Sequence, residues 1–181
     1  MADPMTSPTA DATAIALTGP FADVLRANQT FQRHFRWGHI ASKPAKGIAL
    51  VMCMDSRIDP LAAMGLGPGD AKIMRNAGAR VTDDVLRSLV LAVNLLDVRR
   101  IAVIQHTDCA MTKMGDDELR TTVGELAGAD ATAWDFLPIT DQQSTIAADL
   151  ERVRTCALID DEVELGGFIY DVHTGELRPV D

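Results

Sequence analysis

The sequence predicts an α/β fold built on a mostly parallel sheet, and three observations carry that prediction. Residues 48–52, 71–74 and 101–104 are short apolar runs, the pattern left by strands buried on both faces. Helix-start signals fall between them, so strand, helix, strand, helix, strand can be read across 48–104. Near the end, residues 167–172 alternate like a strand, His173-Thr174-Gly175 turns, and residues 176–180 return beside it. The expected architecture is a central sheet of four mostly parallel strands plus an antiparallel edge strand. Helices cover both faces and a helical arm precedes the sheet.

Taken in order, residues 1–19 are rich in Ala, Thr and Pro and read as a flexible tail. Residues 20–181 read as a single domain, of which 20–40 form the arm. Pro20 introduces a helix over 21–35, where Phe21, Val24, Leu25, Phe31 and Phe35 recur at roughly helical spacing. Four of the seven Phe and Trp residues lie from Phe21 to Trp37, more than a tail requires. The arm is therefore expected to wrap over a partner subunit. His39 is expected at a helix end and His34 in solvent.

Residues 42–47 form a loop before the first apolar run. Asp59 followed by Pro60 is a helix start, with a side-chain acceptor as cap and a fixed φ in the first turn. That helix stops by Gly65. Residues 67–70 turn into the second strand, 71–74, and residues 75–78 form a loop leaving its end. Thr82 caps the next helix, and Asp83 and Asp84 sit in its first turn, where the helix dipole favours anions. Val85, Leu86, Leu89, Val90, Val93 and Leu96 give this helix a broad apolar face. Beyond the third strand the pattern becomes weak and acidic. A helical insertion is expected over 116–126, followed by a loop through Trp134 and Pro138. Residues 141–156 read as a helix with Ile146, Leu150 and Val153 on one side.

Composition limits the function. The chain has 181 residues and is 47% hydrophobic, ample for a core. A net charge of −9 disfavours nucleic acid and anionic membrane surfaces as partners. No apolar run approaches the ~20 residues of a membrane span. The first twenty residues lack the basic and apolar regions of a signal peptide, so a cytoplasmic location is expected. Three cysteines, an odd and low number, disfavour a disulfide framework and leave thiols for a metal. Cys156 reads as a small buried residue.

Cys53 and Cys109 stand in more informative surroundings. Cys53-Met54-Asp55-Ser56-Arg57 follows one apolar run, and His106-Thr107-Asp108-Cys109 follows another. Ligands collect beyond the carboxyl ends of strands in open α/β sheets. Cys53, His106 and Cys109 there supply the donors of a zinc site with a fourth position open. In extended chain Cys53, Asp55 and Arg57 would point to one side. Asp55 then either fills the fourth position or accepts a hydrogen bond from a water there, and a two-pronged ion pair with Arg57 chooses between the two. His173 reads as a polar turn residue.

With these pieces in place, the sequence resembles the β-class carbonic anhydrases, and most of all their short prokaryotic branch. The resemblance rests on residues 53–57, on Arg75-Asn76-Ala77-Gly78, on residues 106–109 and on the closing segment 167–175. It covers about residues 27–180. It implies Cys53, His106 and Cys109 as ligands of a Zn2+ cofactor and Asp55 with Arg57 as a catalytic dyad that orients the attacking water. It implies reversible hydration of carbon dioxide to bicarbonate, in a homodimer or homotetramer. Two departures stand out. Ala110 occupies the place where the family usually has Gly, and the glutamine and tyrosine of some substrate pockets have no match here. The same branch includes hydrolases of carbonyl sulfide and carbon disulfide, the first alternative. A non-catalytic zinc module closed by four protein ligands is the second, and thiol redox work by Cys53 and Cys109 the third.

Overall fold

The structure, a computed structural model, describes residues 19–180. The tail expected over 1–19 lies almost wholly outside them. The chain divides into two compact units after Ile40.

The first unit contains helix α1 (Ala22–Arg33). It ends two residues before the expected limit, because the backbone N–H of His34 and Phe35 already close shorter bonds to Phe31 and Gln32. His34 is therefore the helix-end residue, and its ring Nδ1 lies 3.1 Å from the Thr30 carbonyl. His34 is exposed to solvent as expected, whereas His39 lies in a turn beyond the helix and not at its end. Phe31, Phe35 and Trp37 form a triad, each pair of ring centroids 5.8 Å apart.

The second unit carries β1 (Ile48–Cys53), α2 (Pro60–Ala63), β2 (Ala71–Asn76), α3 (Asp83–Leu96), β3 (Arg100–His106), α4 (Asp116–Ala127), α5 (Gln142–Arg154), β4 (Glu164–Tyr170) and β5 (Leu177–Val180). The sheet order is β2-β1-β3-β4-β5, with four parallel strands and β5 antiparallel at the edge. This is the expected architecture. The starts of α2 and α3 follow their sequence signals, and the structure shows α5 capped in the same way. The Asp59 carboxylate accepts from the Leu61 and Ala62 amides, the Thr82 hydroxyl from Val85 N–H, and the Asp141 carboxylate from Ser144 N–H.

The two faces of the sheet are covered unequally. On one, Ala49, Val51, Ile101 and Val103 pack with Val85, Leu89 and Val93 of α3 and Ile146 and Val153 of α5. On the other, Leu50, Met52, Ala102 and Ile104 pack with Ile58, Met64 and Leu66, which flank the short α2. No helix among the described residues is long and apolar enough to cross a membrane.

The strands run further than hydropathy suggests. β2 continues through Arg75 and Asn76, which pair with Met52 and Cys53. β3 continues through Gln105 and His106, which pair with Ile169 and Tyr170, and β4 begins three residues early, at Glu164. Main-chain pairing with neighbours, not side-chain polarity, decides where these strands stop.

Candidate metal centre

Cys53 is the last residue of β1 and His106 the last of β3, and these strands are direct parallel neighbours. Cys109 follows a tight turn and opens a short 3-10 turn, Ala110–Thr112. Asp108 makes that turn with a positive φ of 53°. The result places one donor atom each from Cys53, His106 and Cys109 within 4.8 Å of one another, all three residues buried.

The donor set fits a zinc ion. The two sulfurs lie 4.0 Å apart. Two sulfurs bound at ~2.3 Å around a tetrahedral ion would lie roughly 3.8 Å apart. His106 Nδ1 lies 2.8 Å from the Thr107 carbonyl, which can only accept, so Nδ1 carries the proton. That leaves the lone pair of Nε2 free, and this buried atom has no hydrogen-bond partner in the protein. A buried, unpartnered imidazole nitrogen facing two sulfurs is the arrangement a metal completes.

The charges agree. The hydrogen bond from Cys109 pulls the Cys53 thiol down to about 4 against the opposing effect of burial, with further help from His106 and the Gly78 backbone amide. The same contact, with burial, pushes the Cys109 thiol well above its ordinary range. His106 is raised: burial opposes its cationic form, but the nearby Cys53 sulfur, the Thr107 carbonyl and the Asp55 charge outweigh it. The two thiols are thus pushed in opposite directions by their mutual contact, and binding of a divalent cation would favour both as thiolates.

Asp55 and Arg57 meet by a different route from the expected one. The chain leaves extended geometry after Cys53, so strand alternation does not align them. A turn does, closed by Ile58 N–H to the Asp55 carbonyl at 3.1 Å and by Arg57 N–H to Asp55 Oδ1 at 2.9 Å. The Arg57 side chain then grips the same carboxylate, Nε at 3.0 and 3.2 Å and Nη2 at 2.7 Å. These bonds hold the Asp55 carboxyl well below the usual carboxylate range. Asp55 Oδ2 lies 3.8 Å from His106 Nε2, beside the three-residue cluster and outside it.

Several supporting residues had no role in the sequence reading. Arg75 donates to three carbonyls of the 53–58 turn, those of Cys53 (2.8 Å), Asp55 (2.6 Å) and Ile58 (3.2 Å). Gln142 Nε2 of α5 donates to the His106 carbonyl at 3.0 Å. Arg80 pairs with the buried Asp149 of α5 at 2.8 Å. Arg57 also reaches Asp108, and Lys113 reaches Asp108 from the other side. The presence of Arg75 and Asp108 inside the quoted motifs is the one sequence signal that singles them out. Gln142, Asp149 and Lys113 carry none.

The cluster opens onto a cavity of about 480 Å³. Its wall is mixed, with Met54, Ala77, Ala110 and Met111 against Asp55, Arg57, Asp108 and Lys113. Ala110 does line it, and its φ is not in the left-handed region, so its methyl group adds bulk without backbone strain. Cys156 packs beside the α3–α5 core as a free thiol. His173 sits in the β4–β5 turn, its N–H bonded to Asp171 at 2.8 Å.

The family model described as carbonic anhydrase matches residues 48–177. The chain belongs to the β-carbonic anhydrase family. It is 35% identical over 158 residues to "Beta-carbonic anhydrase 1" of Mycobacterium tuberculosis, covering 87% of this chain and 96% of that one. The crystal structure of a carbonic anhydrase from Streptococcus mutans is 39% identical, with a TM-score of 0.85 over 91% of this chain and 99% of that one. A "Carbon disulfide hydrolase" of Saccharolobus solfataricus is 33% identical over 153 residues, covering 71% of this chain and 74% of that one. Membership of the β-carbonic anhydrases, and these homologues, support carbonic anhydrase activity.

Proposed function

We propose that Cys53, His106 and Cys109 hold a zinc ion and that the protein catalyses reversible hydration of carbon dioxide to bicarbonate, with Asp55 and Arg57 orienting the attacking water. The observation that carries this reading is the buried, unpartnered His106 Nε2 close to two buried cysteine sulfurs, opening onto a solvent-accessible cavity. Zinc, when bound, supplies the chemistry of an acidified water at near-neutral pH.

The remaining chemistry belongs to the chain. Two thiolates and a neutral imidazole cancel the charge of a divalent ion, so the water should be less acidified than in a three-histidine site. Asp55 stays ionised, because Arg57 saturates one side of its carboxylate. A carboxylate held that low does not store a proton at neutral pH. It accepts a hydrogen bond from the attacking water and fixes its direction, while the proton leaves through the open cavity. Arg57 keeps the carboxylate turned to that task. Met54, Ala77 and Met111 offer an apolar flank to a small linear substrate.

Stopped-flow carbon dioxide hydration on metal-analysed protein tests this directly. The rate is expected to rise from neutral to alkaline pH. Protein loaded with one zinc per chain and no hydration above buffer would refute it. A second reading is favoured by the carbon disulfide hydrolase relative: hydrolysis of carbon disulfide or carbonyl sulfide on the same site. Sulfide release separates the two. The assembly proposed is a homodimer or homotetramer with the 20–40 arm over a partner subunit. Light scattering of the full chain and of a form lacking the arm checks it.

A further inference from the structure

We propose that Asp108 is a positioning residue that fixes the outer edge of the Arg57 guanidinium, with Lys113 fixing Asp108 in turn. The inference rests on reading the Cys53–His106–Cys109 cluster as the reactive centre. Asp55 uses one edge of the guanidinium, through Nε and Nη2. Asp108 takes the other, its carboxylate Oδ2 accepting from Nη1 at 2.9 Å and its carbonyl from Nη2 at 3.0 Å. Lys113 Nζ binds the remaining Asp108 oxygen, Oδ1, at 2.7 Å.

The four side chains alternate in sign, Lys113, Asp108, Arg57, Asp55, and end beside His106. An isolated surface ion pair would contribute little. Here two features raise the chain above that. Arg57 is 41% exposed, so hydrogen bonds rather than packing set its orientation. Asp108 is also the residue whose left-handed backbone turns the chain from His106 to Cys109. One residue therefore sets the position of a cluster sulfur and of the Arg57 fork together. Without its side chain, Nη1 loses its anchor and Arg57 can swing outward. Asp55 would then be free to turn toward His106 Nε2, 3.8 Å away.

The test uses two variants that both tolerate a positive φ. Asp108→Gly removes the carboxylate and leaves only the backbone carbonyl, and Asp108→Asn keeps a side-chain oxygen while removing the charge. Zinc-loaded protein is examined by 15N NMR of the Arg57 Nε–H and by steady-state kinetics. Asp108→Gly is expected to speed exchange of that proton and lower kcat about tenfold, with KM changing less. Asp108→Asn should fall between it and wild type. In an Arg57→Ala background Asp108→Gly should add nothing further. Lys113→Gln, at an exposed position away from the turn, should give a smaller shift in the same direction. An Arg57 Nε–H unchanged by Asp108→Gly would overturn the proposal. So would a further loss in the Arg57→Ala background. If Asp108→Gly loses zinc or fails to fold, an Arg57 signal at its wild-type value in both Asp108→Asn and Lys113→Gln overturns it. The NMR readout reports the clamp whatever the substrate, so it stands apart from the hydration assay.

Discussion

Gly167 of β4 faces Ile146 and Leu150 of α5, and Gly167→Ala tests how far that contact supports the metal centre. A Cβ at Gly167 would stand 2.4 Å from Ile146 Cγ2 and 3.2 Å from Leu150 Cδ1. Carbon atoms in ordinary contact are about 3.5–4.0 Å apart, so the first approach is short by at least about 1 Å. Ile146 is 1% exposed, so its side chain has little free space to turn into and a shift of α5 is expected. Overpacking of this kind costs about 1–3 kcal/mol. Ala recovers about 0.4–1 kcal/mol by restricting the unfolded chain. With overpacking in the upper part of its range, about 2–3 kcal/mol for so short a contact, and a recovery of about 1, the net loss is about 1–2 kcal/mol, and a domain of this size shifts roughly 2–4 °C per kcal/mol. A fall in Tm of about 2–8 °C follows. Because α5 also carries Gln142, bonded to His106, and Asp149, paired with Arg80, hydration activity should fall with it. The assay is thermal unfolding of zinc-loaded protein at fixed concentration, beside stopped-flow hydration. Gly166→Ala is the control. Its Cβ would meet Phe168 Cε2 at 2.8 Å, the ring of a half-buried side chain that can turn aside. A Gly167→Ala protein as stable as wild type, or less affected than Gly166→Ala, would refute the reasoning.

Three further outcomes are expected. Asp55→Asn should keep its zinc and lose turnover about 100-fold, as misplacement of the attacking group does; metal analysis beside kinetics checks it, and loss of zinc would make Asp55 a ligand. Chelation should lower Tm, and zinc should restore it at one ion per chain; His106→Ala should show neither response, which differential scanning calorimetry reads. In metal-free protein, Arg57→Gln should narrow its stability gap from wild type as the solution is acidified. Hydrogen bonds from Arg57 depress the pKa of Asp55 in the folded state, and Lys113 first, then Arg57, hold that of Asp108 at about 2. Their stabilisation is therefore complete above the unfolded carboxylate value of about 4 and is lost as pH falls through the folded values. A gap that stays constant from pH ~5 to ~2 would contradict that assignment.

The sequence by itself determined the fold class and the donor chemistry, because both are local. Apolar runs such as 48–52 and 101–104 state their own burial, and Asp59 and Thr82 mark helix starts through bonds to amides two or three residues away. Cys53, His106 and Cys109 could be named because thiolate and imidazole at strand ends carry their chemistry in their residue types. Tertiary structure alone decided what these groups meet. Gln142 reaches His106 across 36 positions, Arg57 reaches Asp108 across 51, and Arg80 reaches Asp149 across 69. No periodicity encodes such distances. They depend on strand order, on the 53–58 turn held by Arg75 and on the angle at which α5 crosses β4. The same cause explains the misplaced strand ends. Arg75, Asn76, Gln105 and His106 are polar, yet they stay in the sheet because a neighbouring backbone is present to bond them. Hydropathy records which residues avoid water, whereas pairing across the sheet is settled only once the whole chain is in place.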